Sequence, residues 1–177
     1  MRFQRLLEVV GAEPLFETGL LLAGPLDPAE VHRQLSRWVA TGRLLQLRRG
    51  LYALAEPYRR VDPHPFLVAN MLVRGSYVSL QSALAHHGLI PEYVPVVTSV
   101  TTGRPGRRET PLGTFDYRHI QPDRLGGFRH ERLKEGQRAD VATPAKALID
   151  LVSLVPSADD RRFLEGLRLN LADDMDL

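Results

Sequence analysis

With 177 residues, 44% of them apolar, the chain has the size and composition of one packed domain or two small ones, and neither a disordered tail nor a fibrous repeat. It has no cysteine, which excludes a disulfide framework, a thiolate zinc site, an iron–sulfur cluster and cysteine-nucleophile chemistry; any metal would have to be held by 6 histidines and the carboxylates. The net charge of +2 is unevenly spread: residues 33–60 carry seven arginines against the single acid Glu56, residues 104–138 carry nine bases against five acids, and residues 157–177 carry three against six.

In chain order, Phe3, Leu6, Leu7 and Val10 follow helical spacing and predict an amphipathic helix over the first ten residues, closed by Gly11. A second short helix is expected over residues 14–23. Asp27-Pro28-Ala29-Glu30 is a helix start: an N-cap, a proline at the first helical position, and a glutamate placed to reach back to the cap. This helix runs through Val31, Leu35, Trp38 and Val39 and stops at Thr41-Gly42, where glycine takes the left-handed cap. Its opposite face carries Glu30, Arg33, Ser36 and Arg37.

Leu44-Leu45-Gln46-Leu47, the turn Arg48-Arg49-Gly50 and Leu51-Tyr52-Ala53-Leu54 predict a hairpin. Residues 55–65, with three prolines and two arginines, read as a linker and mark a domain boundary. Beyond it, helices are expected over 66–74 and 79–87, strands over 94–101 and 113–120 and in parts of 127–142, and a basic loop over 103–111. Thr143-Pro144 restarts a helix with Leu148, Leu151, Val152 and Val155 as its buried face, and Ser157, with Asp159 and Asp160, caps a last one. The longest apolar stretches, such as residues 20–23, fall far short of the ~20 residues of a membrane span. With an amphipathic start in place of a signal peptide, the expected location is the cytoplasm.

Three helices followed by a hairpin within about 54 residues is the order of a winged helix, whose third helix enters the major groove while the hairpin touches the backbone. All basic residues except Lys134 and Lys146 are arginine, the side chain best shaped to fork onto phosphates and guanine edges, although a GC-rich genome produces the same bias. Arg33 and Arg37, one turn apart, would by themselves only solvate a helix. Arg48 and Arg49 at a hairpin tip add weight, because two like charges there repel unless an anion sits between them. Arg43 belongs to the same basic stretch. Arg104, Arg107 and Arg108 of the second basic region either extend a DNA footprint or form a solvated turn.

Three segments carry a family resemblance: LSRWVATGRLLQLRRGLYAL at residues 35–54, SYVSLQSALAHHGLIPE at 76–92 and TPAKALID at 143–150. In this order and spacing they resemble AbiEi-type antitoxins of type IV toxin–antitoxin systems. The resemblance implies a bacterial repressor bound to the promoter inverted repeats of its own operon, whose second domain counteracts a nucleotidyltransferase-type toxin without a stable complex. Ala145 stands where the family usually has a glutamate, so no role is carried over for that carboxylate.

Enzyme readings find little support. His86 and His87 point about 100° apart on a helix and do not chelate one metal as an i, i+4 pair would. Asp116, Glu131 and Lys134 lack the spacing of a restriction-type nuclease core, and Gly103 and Gly106 lack a phosphate-loop continuation. Lys146 and Asp150, at i and i+4, read as an exposed ion pair. The expectation is therefore an α+β protein with no catalytic, cofactor or metal site: a winged helix-turn-helix DNA-binding domain over 1–56, then a mixed α/β antitoxin domain over 57–177. Two alternatives stay open. One is a regulator whose second domain binds a ligand or dimerises, with no toxin partner; the other is a DNA-targeted nuclease.

Overall fold

The computed structural model describes residues 1–23, 26–92, 94–156, 158 and 160–170. The chain is α+β and divides into two compact units, Met1–His64 with Thr110–Leu112, and Pro65–Glu109 with Gly113–Leu177. Among the described residues, no helix is long and apolar enough to cross a membrane.

The first unit contains α1 (Phe3–Val10), β1 (Phe16–Glu17), α2 (Thr18–Leu22), α3 (Pro28–Ala40), β2 (Leu44–Arg48) and β3 (Leu51–Leu54). Its three strands form an antiparallel sheet in the order β1-β3-β2. The apolar stripes of the helices converge as their spacing requires: Leu6 and Val10 from α1, Leu21 from α2, and Val31, Leu35 and Trp38 from α3 pack with Phe16, Leu44, Tyr52 and Leu54 of the sheet. The helix expected over 14–23 is in fact split. Phe16 and Glu17 pair with Tyr52 and Leu51, and the Phe16 and Tyr52 rings stack at 5.7 Å, so a tertiary pairing overrides local helical preference.

Residues 55–64 belong to the first unit, which therefore runs past the boundary expected at residue 56. The reason is local packing in a stretch that composition alone marks as linker. Ala55 N–H donates to the Arg43 carbonyl at 3.0 Å, Tyr58 sets its ring edge-on to Phe3 at 4.9 Å, and Arg59 is paired with Glu56 and Asp62.

The second unit contains α4 (Pro65–Leu72), β4 (Tyr77–Val78), α5 (Leu80–His86), β5 (Val96–Thr101), β6 (Gly106–Thr110), β7 (Gly113–His119), β8 (Phe128–Arg132), β9 (Arg138–Ala142), α6 (Pro144–Leu154) and α7 (Arg161–Gly166). A mixed sheet of six strands runs β6-β7-β5-β4-β9-β8. Neighbouring residues on a strand point to opposite faces, and two tyrosines show which helix covers which. Tyr117, in register with Ser99, donates its hydroxyl to the Ala69 carbonyl of α4 at 2.8 Å. Tyr77, in register with Val100, donates to Asp150 of α6 at 2.9 Å. The sheet is thus sandwiched between α4 on one face and α6 on the other.

Three expectations for this unit need correction. Residues 106–110 of the presumed basic loop form an edge strand, because an outer strand can be polar on both faces and so shows no apolar alternation. The buried face of α6 is Ala147, Asp150 and Leu151, with Val152 exposed, because a charged group sits at its centre. Lys146 and Asp150 are accordingly not a surface pair, as set out below. The Ser157 cap and Asp159 lie outside the described residues.

Candidate nucleic-acid interface

The position of α3 is set at both ends by side-chain chemistry. Asp27 accepts from the Ala29 and Glu30 amides at 3.2 Å each, satisfying two donors that a helix start leaves free. At the other end the Thr41 hydroxyl donates to the Arg37 carbonyl at 3.0 Å, and Gly42 takes φ +69°, which L side chains rarely adopt. Glu30 does not reach back to the cap. Its two oxygens accept from Gln34 at 2.8 Å and Arg33 at 2.6 Å, and these bonds, the one from Gln34 first, hold its carboxyl below the usual carboxylate range.

With Val31, Leu35 and Trp38 turned into the core, α3 exposes His32, Arg33, Ser36, Arg37 and Ala40 on one continuous face. The Arg33–Glu30 bridge lies at the surface, where such pairs contribute little, so an incoming phosphate or base edge can displace it.

At the hairpin tip the two arginines differ. Arg48 is half-buried and forks toward Glu17 of β1 at 2.8 Å, while Arg49 is exposed. The inference from two repelling tip charges is thereby corrected: Glu17, brought over by the β1–β3 pairing, already neutralises Arg48. No sequence signal links positions 17 and 48. Arg43 is at the start of the hairpin, with its guanidinium over the Phe3 ring at 5.0 Å from the centroid.

Arg104, Arg107 and Arg108 belong to the second unit. Arg107 is 3.4 Å from Glu109 on the exposed edge strand, and Arg108 lies 5.9 Å over the Tyr117 ring. Burial pushes the Tyr117 hydroxyl pKa up, and Arg108 opposes that effect.

The second unit holds two further features. In the first, Asp150, 1% exposed, accepts from the Tyr77 and Ser79 hydroxyls at 2.9 and 2.7 Å and is 2.7 Å from the Lys146 ammonium. Lys146 also donates to the Arg124 carbonyl at 3.1 Å, and its stem lies against Gly127, where an added Cβ would meet Lys146 Cγ at 3.0 Å. Burial and the neighbouring Asp150 charge together push the Tyr77 hydroxyl pKa up. Both oxygens of Asp150 and both hydroxyls of this cluster have a partner, which is the requirement for a buried charge that holds a fold together. The second feature is a cleft of about 700 Å³ between α5 and the outer strands, with Ile90, Val96 and Val155 on its walls and Arg107, Asp116 and Arg118 among its polar lining. Asp116 and Arg118 are 3.2 Å apart there.

His86 lies edge-on to Phe66 at 5.3 Å, and His87 Nε2 is 2.8 Å from the Ala142 carbonyl. Among the described residues no group of three or more histidine, aspartate or glutamate side chains is placed to hold a metal. No protein-family model matches this chain, and no curated protein sequence is significantly similar to it.

Proposed function

We propose that this protein is a DNA-binding antitoxin that represses its own operon in a type IV toxin–antitoxin system and counters a nucleotidyltransferase-type toxin without a stable complex. The observation that supports the DNA-binding part is topological: α1-β1-α2-α3-β2-β3 with sheet order β1-β3-β2 has the element order expected of a winged helix. On this reading α3 enters the major groove with Arg33 and Ser36 toward base edges, and Arg49 at the hairpin tip meets the backbone. The antitoxin part rests on the resemblance of the three segments quoted above.

The test is binding of the full chain to the promoter of its own operon over a range of salt. Contact with about six phosphates makes log affinity fall with log salt at a slope near −5. A slope near zero overturns DNA binding. Rescue of cells expressing the neighbouring toxin tests the antitoxin part, and failure to rescue overturns it alone.

The cleft of the second unit favours one alternative, a winged-helix regulator that answers to a small molecule and has no toxin partner. Ligand-dependent release from the promoter, together with no rescue, would identify that case.

A further inference from the structure

Four of the nine arginines in the first unit are neutralised by neighbours. Arg5 pairs with Glu8 at 2.9 Å, Arg33 with Glu30 at 2.6 Å, Arg48 with Glu17 at 2.8 Å, and Arg59 with Glu56 at 3.0 Å. Three others are treated differently. Arg2, Arg37 and Arg43 come from the start of α1, the last turn of α3 and the residue after the Gly42 turn, and all three line one pocket of about 340 Å³. No carboxylate is among the described residues that line it, and none of the three arginines has an ion-pair partner among the described residues.

The remaining lining chemistry is already committed. Gln34 donates to Glu30, and the Thr41 hydroxyl donates to the carbonyls of Arg37 and Trp38. Phe3 and Trp38, edge to face at 5.3 Å, form an apolar base, and Phe3 carries the Arg43 guanidinium over its ring. A guanidinium held on an aromatic face keeps its in-plane N–H donors available for an anion. The Met1 ammonium at the same pocket is 3.9 Å from Glu30, whereas the three guanidinium groups repel one another, a cost that an anion placed among them reverses. A phosphate oxygen pair matches the guanidinium fork.

We infer that Arg2, Arg37 and Arg43 form a phosphate clamp that holds one backbone phosphodiester at the rim of the groove entered by α3. This rests on the DNA-binding reading above and adds two things to it: Arg2 joins the interface, and Arg37 positions the helix and does not read a base. A contact to phosphate carries no sequence information, so its loss weakens all duplexes alike.

Two measurements on the full chain test the clamp. In the first, arginine side-chain Nε–H resonances are followed by NMR during titration with inorganic phosphate at constant ionic strength. Arg2, Arg37 and Arg43 are expected to shift together along one saturating curve, with exposed Arg60 as the unmoved control. Shifts that are equal for all arginines and never saturate overturn the clamp. In the second, the double variant Arg2→Gln with Arg43→Gln is expected to bind operator and random duplex roughly tenfold more weakly by the same factor, with the salt slope reduced by about one. Arg60→Gln should leave both unchanged. If the double variant binds operator with the affinity and slope of the parent, the clamp falls and the DNA-binding reading stands. If the parent binds no DNA but its three arginines still saturate together with phosphate, the anion site stands and the DNA-binding reading falls.

Discussion

Asp150 shows how much one side chain can carry. Its carboxylate is shared by two hydroxyls and an ammonium in the interior of the second unit, so removing it strands Lys146 beside a low-dielectric cavity. Asp150→Ala should lower unfolding free energy by about 3 to 5 kcal/mol in a urea titration; a change below about 1 kcal/mol would mean that the network contributes little to the fold. Trp38, 5% exposed and packed on Phe3, should likewise cost about 3 to 5 kcal/mol when changed to alanine. A Trp38→Ala protein with unaltered unfolding and abolished DNA binding would put the indole on the wrong side of α3. His86 carries a pH effect. Partial burial of its ring and the adjacent His87 lower its pKa from the ordinary 6.5. The unfolded chain then binds the proton more readily, so this contribution to stability is intact above 6.5 and is lost as pH falls through 6.5 toward the folded value. His86→Leu should flatten the drop in urea midpoint between about pH 7.5 and 5.5, and an unchanged drop would assign the dependence to other groups.

At the level of elements, the hairpin and α3 are set up by different means. The first turn of α3 is local, and Asp27→Ala should remove about 1 kcal/mol of stability by freeing two amides, read from the same urea titration. The hairpin tip depends on a remote partner, because Arg48 is held by Glu17 of β1. Charge reversal at Arg48 would bring two carboxylates together and disturb the sheet, so it is a poor probe of DNA contact. Arg49→Glu is the clean substitution. It should weaken operator and random duplex equally through repulsion from the backbone while leaving the thermal midpoint within about 1 °C. A selective loss of operator binding would instead make Arg49 a reader of bases.

For the whole molecule, the proposed function puts its DNA-contacting arginines in the first unit, while two of the three family-like segments lie in the second, beyond the division at His64 and Pro65. Repression and toxin neutralisation should therefore separate. The folded Arg49→Glu variant is expected to lose repression of a promoter reporter and still rescue cells from the neighbouring toxin. Joint loss of both would mean that neutralisation works through DNA or through the first unit.

Local patterns in the chain were enough for the elements whose information is local. The apolar spacing of α1 and α3, the Asp27 cap, the Gly42 stop and the hairpin over 44–54 all come from residues within a few positions of one another, where periodicity and turn chemistry act directly. The exposed arginine face of α3 follows from the same spacing, as its inverse. Folding alone decided whatever depends on partners far apart in the chain. The two-residue strand β1 exists because Tyr52 is there to pair with Phe16, and Arg48 is neutralised because that pairing delivers Glu17. Lys146 and Asp150, spaced like any surface pair on a helix, are buried because Tyr77 of β4 and Ser79 at the start of α5 supply hydroxyls from some seventy residues earlier. Arg2, Arg37 and Arg43 share no spacing at all, and only the packing of α1 against α3 brings their charges to one pocket. A long-range contact leaves no periodic trace in either partner, so it becomes visible only when the chain has closed on itself.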